Sequence, residues 1–279
     1  RSSGTGRRSA VGKVAVVFPG QGSQKVGMGK ELAAAYEVAR RTFEEADDVL
    51  GFSVSRLCFE GPEEELVRTE NTQPALLTTC VAVFRALREE GFEPQAAAGH
   101  SLGEYAALVA AGAVDFAAAV ETVRLRGQLM EAAVPGGAGT MAAVLGLDDE
   151  TVEALCTEEE GIVVPATYNA PGQVVVAGET GAVLRVMEKA KQRGARRVQR
   201  LNVSGPFHSP LLAAAGVSLA EKLEKIAVRP PAIPVYSNVT AQPVASAGEI
   251  KDNLAKQVSA PVRWVETIRN MAADGIDSF

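Results

Sequence analysis

Short apolar runs alternate along this chain with longer stretches in which apolar residues recur every three or four positions. Residues 13–18, KVAVVF, are β-branched and apolar and stop at Pro19 and Gly20, which predicts a buried strand entering a loop. Helical spacing follows over about 28–50, 63–69 and 74–90. AAAGHS then predicts a short buried strand feeding a helix over 102–112. A further helix over about 115–134 opens on Asp115 as its cap and ends near Pro135. Strand, turn and helix in this alternation predict an α/β architecture with a parallel sheet.

From Gly136 the units shorten. GTMAAVLGL predicts a strand, DDETVEALCTEE a helix opened by an Asp cap, and IVVPATYNAPGQVVVAG two strands around an Asn-Ala-Pro-Gly turn. TGAVLRVMEKAKQRG predicts a helix and ARRVQRLNV a strand. This βαββαβ order predicts a ferredoxin-like domain, residues 136–203, inserted into a larger domain formed by 11–135 and 204–279. The larger domain resumes with a helix over about 209–226, a strand at IPVYSNV and helices over about 247–274.

Composition narrows the class of function. Of 279 residues, 47% are hydrophobic and 22% charged, enough for one sizeable core or a core with a satellite. The net charge of −6 argues against a nucleic-acid partner. Cys58, Cys80 and Cys156 form no CxxC pair and are expected to be core thiols in a reducing compartment, the cytoplasm. No apolar run approaches the ~18 residues of a membrane span. Residues 1–10, RSSGTGRRSA, are expected to be a flexible leader, either a processed end or the remnant of an organelle transit peptide.

Candidate chemistry centres on Gly99-His100-Ser101-Leu102-Gly103, a G-x-S-x-G pattern lying where a strand turns into a helix. There Ser101 would stand at a helix N-terminus, whose N–H groups can stabilise an oxyanion. A glycine-rich turn capped by a serine fits the pattern equally well. A nucleophilic serine needs a base, and the chain has two histidines. His100 adjoins the serine and should point away from it, as a packing or hydrogen-bonding residue. His208, in GPFHSP, follows the serine in the order of α/β hydrolase sites. The loop FPGQGSQ fails the dinucleotide fingerprint, because Lys25 stands where the third glycine belongs. It is better read as bringing the Gln21 N–H beside the elbow as a second oxyanion donor.

FPGQGSQ, GHSLGEYAAL, RLRGQLM, NAPGQVVVAG and GPFHSPL, in this order, resemble the malonyl-CoA:acyl carrier protein transacylases of type II fatty acid synthesis, across about residues 13–279. Polyketide synthase acyltransferase domains are similar. The resemblance implies a hydrolase-like α/β domain carrying a ferredoxin-like insertion. It makes Ser101 the nucleophile, His208 the base, and the N–H groups of Gln21 and Leu102 the oxyanion hole. Arg126 would hold the malonyl carboxylate, as a planar guanidinium can through two parallel hydrogen bonds. Arg124 should point to another face as a solvated charge.

The resemblance also implies that a main-chain carbonyl at Gln257 orients the histidine. Asn169 matches a motif near the acyl pocket, although its role as a turn residue is an equal alternative. Glu104 reads as a capping or network carboxylate. Phe207 would exclude the α-methyl branch of methylmalonyl units. The implied partners are malonyl-CoA and acyl carrier protein, with no metal or prosthetic group and a monomeric chain. The family continues past IDSF with a glycine-proline-glycine loop and a helix, so a truncated chain is expected. Lys189, Lys191, Arg193, Arg196, Arg197 and Arg200 form a basic run that could steer an acidic carrier protein or be a solvated face. Two rival functions stand beside transfer: a serine thioester hydrolase, and a non-catalytic carrier-protein-binding module.

Overall fold

The computed structural model describes residues 12–279; the leader expected at residues 1–10 lies outside the described residues. Lys13–Phe18 forms β1, as its apolar run predicts. Helices α1 (Lys30–Ala35) and α2 (Glu37–Leu50) follow, where the sequence pattern predicts one helix. The break is Tyr36, extended at φ −122° and ψ 121°, a local geometry to which apolar spacing is blind. Next come α3 (Val54–Glu60), α4 (Glu63–Leu66) and α5 (Thr69–Glu89). The elbow strand is β2 (Ala96–Gly99), followed by α6 (Gly103–Ala110) and α7 (Phe116–Ala132). Asp115 occupies the cap position of α7, but its side chain makes no capping bond and pairs instead with Arg229.

Residues 139–200 form a second sheet. Its strands are β3 (Gly139–Leu145), β4 (Val163–Ala170), β5 (Gln173–Glu179) and β6 (Arg197–Arg200). Helix α8 (Asp149–Thr157) lies between β3 and β4 in sequence, and α9 (Thr180–Gln192) between β5 and β6. The spatial order β4-β5-β3-β6 is antiparallel throughout. Asp148 caps α8 as predicted, its carboxylate accepting from the Thr151 N–H at 2.8 Å. Alternation divides the strands between two cores: Ala142, Val144, Val174 and Val176 pack with α8 and α9, whereas Met141, Val175 and Ala177 join the large core.

The chain then returns through α10 (Ala213–Glu224), β7 (Val235–Tyr236), α11 (Ala247–Gln257), α12 (Trp264–Ala273) and β8 (Ile276–Ser278). The first sheet is fully parallel in the order β7-β2-β1-β8. Strand β8 carries little apolar pattern and is missed by sequence reasoning; its pairing with β1 creates it. Register pairs Phe18 with Gly99 and Ala98 with Tyr236, so the loops leaving β1, β2 and β7 emerge side by side. That edge, at the carboxyl ends of parallel strands, is where α/β sheets place their sites. No described helix is long and apolar enough to cross a membrane.

Helix α5 begins five residues before Pro74, the position at which the sequence pattern would start it. An interior proline has no N–H for the carbonyl four residues back. That carbonyl belongs to Glu70, and it accepts from Arg124 Nη1 at 2.7 Å. Arg124 also bonds the Asn71 side chain, pairs with the Glu70 carboxylate at 3.2 Å and lies over the Phe52 ring. The expected solvated charge is thus a structural clamp on a proline-interrupted helix. Replacing Arg124 by Ala is expected to lower stability by about 1–3 kcal/mol, as an orphaned carbonyl and a lost charged hydrogen bond would. A fall in urea midpoint at unchanged slope is the check.

Candidate active site

Three close approaches build the elbow. A Cβ at Gly99 would sit 1.9 Å from the Gly103 carbonyl, one at Gly103 would sit 2.4 Å from the Phe18 carbonyl oxygen, and one at Gly20 would sit 2.6 Å from that of His100. Glycine at these positions therefore lets the β1 loop lie directly against the turn. Ser101 itself has φ 50°, a left-handed conformation rare for a residue with a side chain. Asn238, just after β7, holds this strained turn. Its Oδ1 accepts from the Ser101 N–H at 2.6 Å, and its Nδ2 donates to the Gly99 carbonyl at 2.7 Å.

Ser101 Oγ lies 2.8 Å from His208 Nε2. His208 also has a positive φ, 58°, which turns its ring back toward the elbow. Its Nδ1 faces two carbonyl oxygens, of Gln257 at 2.8 Å and Ala260 at 3.2 Å. Carbonyls only accept, so Nδ1 carries the proton and Nε2 presents its lone pair to the serine. Burial lowers the imidazole pKa to about 3, with the nearby Arg126 charge as second cause; the Gln257 carbonyl bond opposes both.

Arg126, on α7, is 1% exposed. Its Nη1 donates to Gln73 Oε1 at 2.8 Å, and its Nη2 donates to Ser101 Oγ at 3.0 Å and to Gln257 Oε1 at 2.8 Å. Its Nε is buried with no partner, and no carboxylate lies within ion-pairing distance of it among the described residues. Burial lowers its pKa, while Tyr105 and Glu104 oppose that shift. A guanidinium stays charged regardless, so the site holds a cation met only by neutral oxygens.

Glu104 lies behind this group. Its Oε2 accepts from the Asn238 N–H at 3.0 Å and from Gln257 Nε2 at 2.6 Å. Burial pushes its carboxyl up to about 7, opposed first by the Asn238 N–H and then by the Gln257 amide and Arg126.

The remaining predicted residues divide. Gln21 sits on the loop beside the elbow, its side chain donating to Thr69 Oγ1 at 3.2 Å. Leu102 begins the turn into α6. Two open grooves of about 520 and 560 Å³ meet at Gln21, one running past His100, Asn169 and Trp264, the other past Arg68, Leu201 and Ser204. His100 turns away from the serine as expected: its Nε2 is 2.8 Å from Asn169 Oδ1, and its ring packs near Trp264. Asn169 is the penultimate residue of β4 rather than a turn residue. Phe207 is buried in the large core.

The six basic residues are not equivalent. Lys189, Lys191 and Arg193 face Glu159, Glu188 and Glu158, whereas Arg196, Arg197 and Arg200 are exposed on or next to the edge strand β6 and lack acidic partners among the described residues. Cys58, Cys80 and Cys156 are buried thiols, as expected, and burial pushes each up to about 12.

Sequence reasoning missed Asn238 and Gln73. Both carried a signal: Ser237 and Asn238 are polar at the carboxyl end of a short strand, and Asn71, Thr72 and Gln73 interrupt an apolar pattern. With only two histidines in the chain, imidazole NMR tests the electrostatics directly. The His208 resonances are expected to stay flat from about pH 8 to about pH 5, and the lowered His100 to show no midpoint above about pH 6.5.

The chain matches the acyl transferase domain family over residues 15–279. It is 48% identical over 270 residues to the malonyl CoA-acyl carrier protein transacylase of Bacillus subtilis (strain 168), covering 96% of this chain and 85% of that one. The transacylase structure from Coxiella burnetii superposes with a TM-score of 0.94 at 44% identity, covering 95% of this chain and 85% of that one. A malonyl-transacylase solved with its type II PKS acyl-carrier protein gives 0.92 at 47% identity, covering 95% and 86%. With its serine, histidine and buried arginine in one site and similarity running along nearly its whole described length, the chain belongs to the malonyl CoA-acyl carrier protein transacylases of the acyl transferase family.

Proposed function

We propose that this protein moves a malonyl group from malonyl-CoA to the phosphopantetheine thiol of acyl carrier protein, supplying units for fatty acid synthesis. The observation that carries the reading is Arg126, a buried cation with an unpartnered Nε, 3.0 Å from the serine oxygen through Nη2. A substrate carboxylate would supply the direct ionic partner that Arg126 lacks, accepting hydrogen bonds from its guanidinium.

In the proposed chemistry His208 Nε2 takes the Ser101 proton as Oγ bonds to the thioester carbonyl carbon. The N–H groups of Gln21 and Leu102 receive the oxyanion. Collapse breaks the C–S bond, and the histidine returns its proton to the departing CoA sulfur. The carrier-protein thiol then attacks the malonyl-serine ester by the same steps in reverse. The second cause lowering His208 is the Arg126 charge. A malonyl carboxylate on Arg126 offsets it, so substrate binding itself makes the histidine a better base. The Gln257 carbonyl orients the imidazole in place of an aspartate. Phe207 would limit room for an α-methyl branch, and Asn169 would hold one wall through His100.

We assign the parallel sheet to a hydrolase-like domain, residues 11–135 and 204–279, and residues 136–203 to a ferredoxin-like insertion. The order β4-β5-β3-β6 supports the latter. A cytoplasmic location fits the three unpaired, buried thiols, and we take the chain to be a monomer. Carrier-protein docking is narrowed to Arg196, Arg197 and Arg200, since acids already face the other three basic residues.

Intact-protein mass spectrometry tests the chemistry. Mixed with malonyl-CoA, the protein is expected to gain one malonyl mass and Ser101→Ala none. Arg126→Ala is expected to lose malonyl transfer about tenfold or more beyond its loss of acetyl transfer, as removal of a charge-assisted pair would. Equal losses would make Arg126 structural. For docking, Arg196→Glu with Arg197→Glu is expected to raise the KM for carrier protein and flatten its salt dependence. Unchanged carrier-protein kinetics at low salt would place docking elsewhere.

A further inference from the structure

Behind the site lies a buried carboxyl that the chemistry above does not use, that of Glu104. Glu104 touches no reacting atom, but Asn238 and Gln257, which both donate to its Oε2, bond the residues that carry those atoms or lie beside them. Gln257 Oε1 accepts from Arg126 Nη2, and Asn238 Oδ1 accepts from the Ser101 N–H. We propose that Glu104 is a positioning residue which, as the nearest of the acceptors facing the Gln257 NH2 group, holds the donor and acceptor direction of the chain of hydrogen bonds from Gln257 through Arg126 to Ser101. The inference rests on the reading of Arg126 as the malonyl carboxylate's holder.

A glutamine amide has two ends of opposite polarity, and a half-turn exchanges them. Gln257 Nε2 lies 2.6 Å from Glu104 Oε2 and 3.1 Å from the Ser101 carbonyl oxygen. Both are acceptors, so the NH2 end must face them and Oε1 must face Arg126. Arg126 only donates; therefore it gives one Nη2 hydrogen bond to Gln257 and another to Ser101 Oγ. With its oxygen accepting from Arg126, the serine points its own proton at the His208 Nε2 lone pair, which is the direction that acylation requires. If Gln257 turned over, its NH2 would face the guanidinium, donor against donor. The arginine would then lose one of its three oxygen partners.

The remaining contacts of Glu104 fit this role. Its Oε2 takes the Asn238 backbone N–H together with the Gln257 amide, tying the elbow clamp and the arginine support to one oxygen. Asn238 and Ser237 approach it from the loop after β7, Gln257 from α11, and the Arg126 charge from α7. A carboxyl protonated on its other oxygen still accepts at Oε2. The direction of the chain therefore depends on an acceptor at that place rather than on charge.

Two substitutions separate this role from simple packing. Glu104→Gln can place its amide oxygen where Oε2 now lies, and Glu104→Met fills similar space with no such acceptor. Serine acylation by malonyl-CoA and acetyl-CoA is measured in both, with thermal unfolding alongside. The methionine variant is expected to lose malonyl acylation about tenfold or more, about the effect of one misdirected hydrogen bond to a charged group, with a narrowed preference over acetyl. The glutamine variant is expected to keep that preference within about threefold. In the double variant Glu104→Met with Arg126→Ala, malonyl acylation is expected to fall no further than in Arg126→Ala, since one residue acts through the other.

A folded Glu104→Met with wild-type preference overturns the proposal. So does a folded Glu104→Gln that loses the preference as fully as Arg126→Ala, or full additivity in the double variant. Should Glu104→Met fail to fold, the glutamine variant alone decides. Should Arg126→Ala leave the malonyl preference intact, the reading of Arg126 itself fails, a result distinct from failure at Glu104.

Discussion

A guanidinium taken out of water is the constraint on which this site depends. Arg126 is almost completely buried and meets no carboxylate among the described residues. Removing a charge from water is expensive unless its donors find oxygens, so the fold must bring them from separate places. They come from Gln73 on α5, Gln257 at the end of α11 and Ser101 at the elbow. Helices far apart in sequence are thereby held to one centre. After burial, the same charge is the second cause that lowers the His208 pKa.

Strain is the second feature, and it sits at the elbow serine and at His208. Ser101 and His208 both adopt positive φ, a conformation that persists only when surroundings over-determine it. For Ser101 the surroundings are the Asn238 clamp, the glycine contacts with the β1 loop and the start of α6. For His208 they are its backbone bond to the Val258 carbonyl and its ring bond to the Gln257 carbonyl. Both sets include residues from 237–260, chain that lies after Ser101 and His208 in sequence. Burial and then the Arg126 charge lower the imidazole pKa, and the Gln257 carbonyl that faces its Nδ1 carries no charge to offset them, so the ring is neutral.

The inserted sheet serves the site at a distance. One of its faces closes on its own two helices, and the other adds Met141, Val175 and Ala177 to the large core. Its strand β4 delivers Asn169 to His100, and its edge strand β6 carries the exposed arginines. An arginine-bearing edge discourages strand pairing with other chains.

By itself the sequence determined the elements whose cause is local. The run KVAVVF gave β1, Asp148 gave a helix cap, and two glycines around Ser101 gave an elbow. The order of short units from Gly136 onward gave the inserted sheet. Ser101 and His208 stood out locally as an elbow serine and a scarce histidine, whereas Arg126 was singled out over Arg124 only through the family resemblance.

Tertiary structure alone decided what links them. Arg124 resembled a solvated charge until Pro74 left a carbonyl for it to bind. Lys189, Lys191 and Arg193 formed one patch with the other basic residues until acids from α9 and the chain after α8 met them. Asn238, Gln73 and the partners of Glu104 became visible only when the loops after β1, β2 and β7 were brought to one edge. Apolar periodicity reports which face of an element is buried. Which polar atoms then meet is set by how distant elements pack, and no local pattern encodes it.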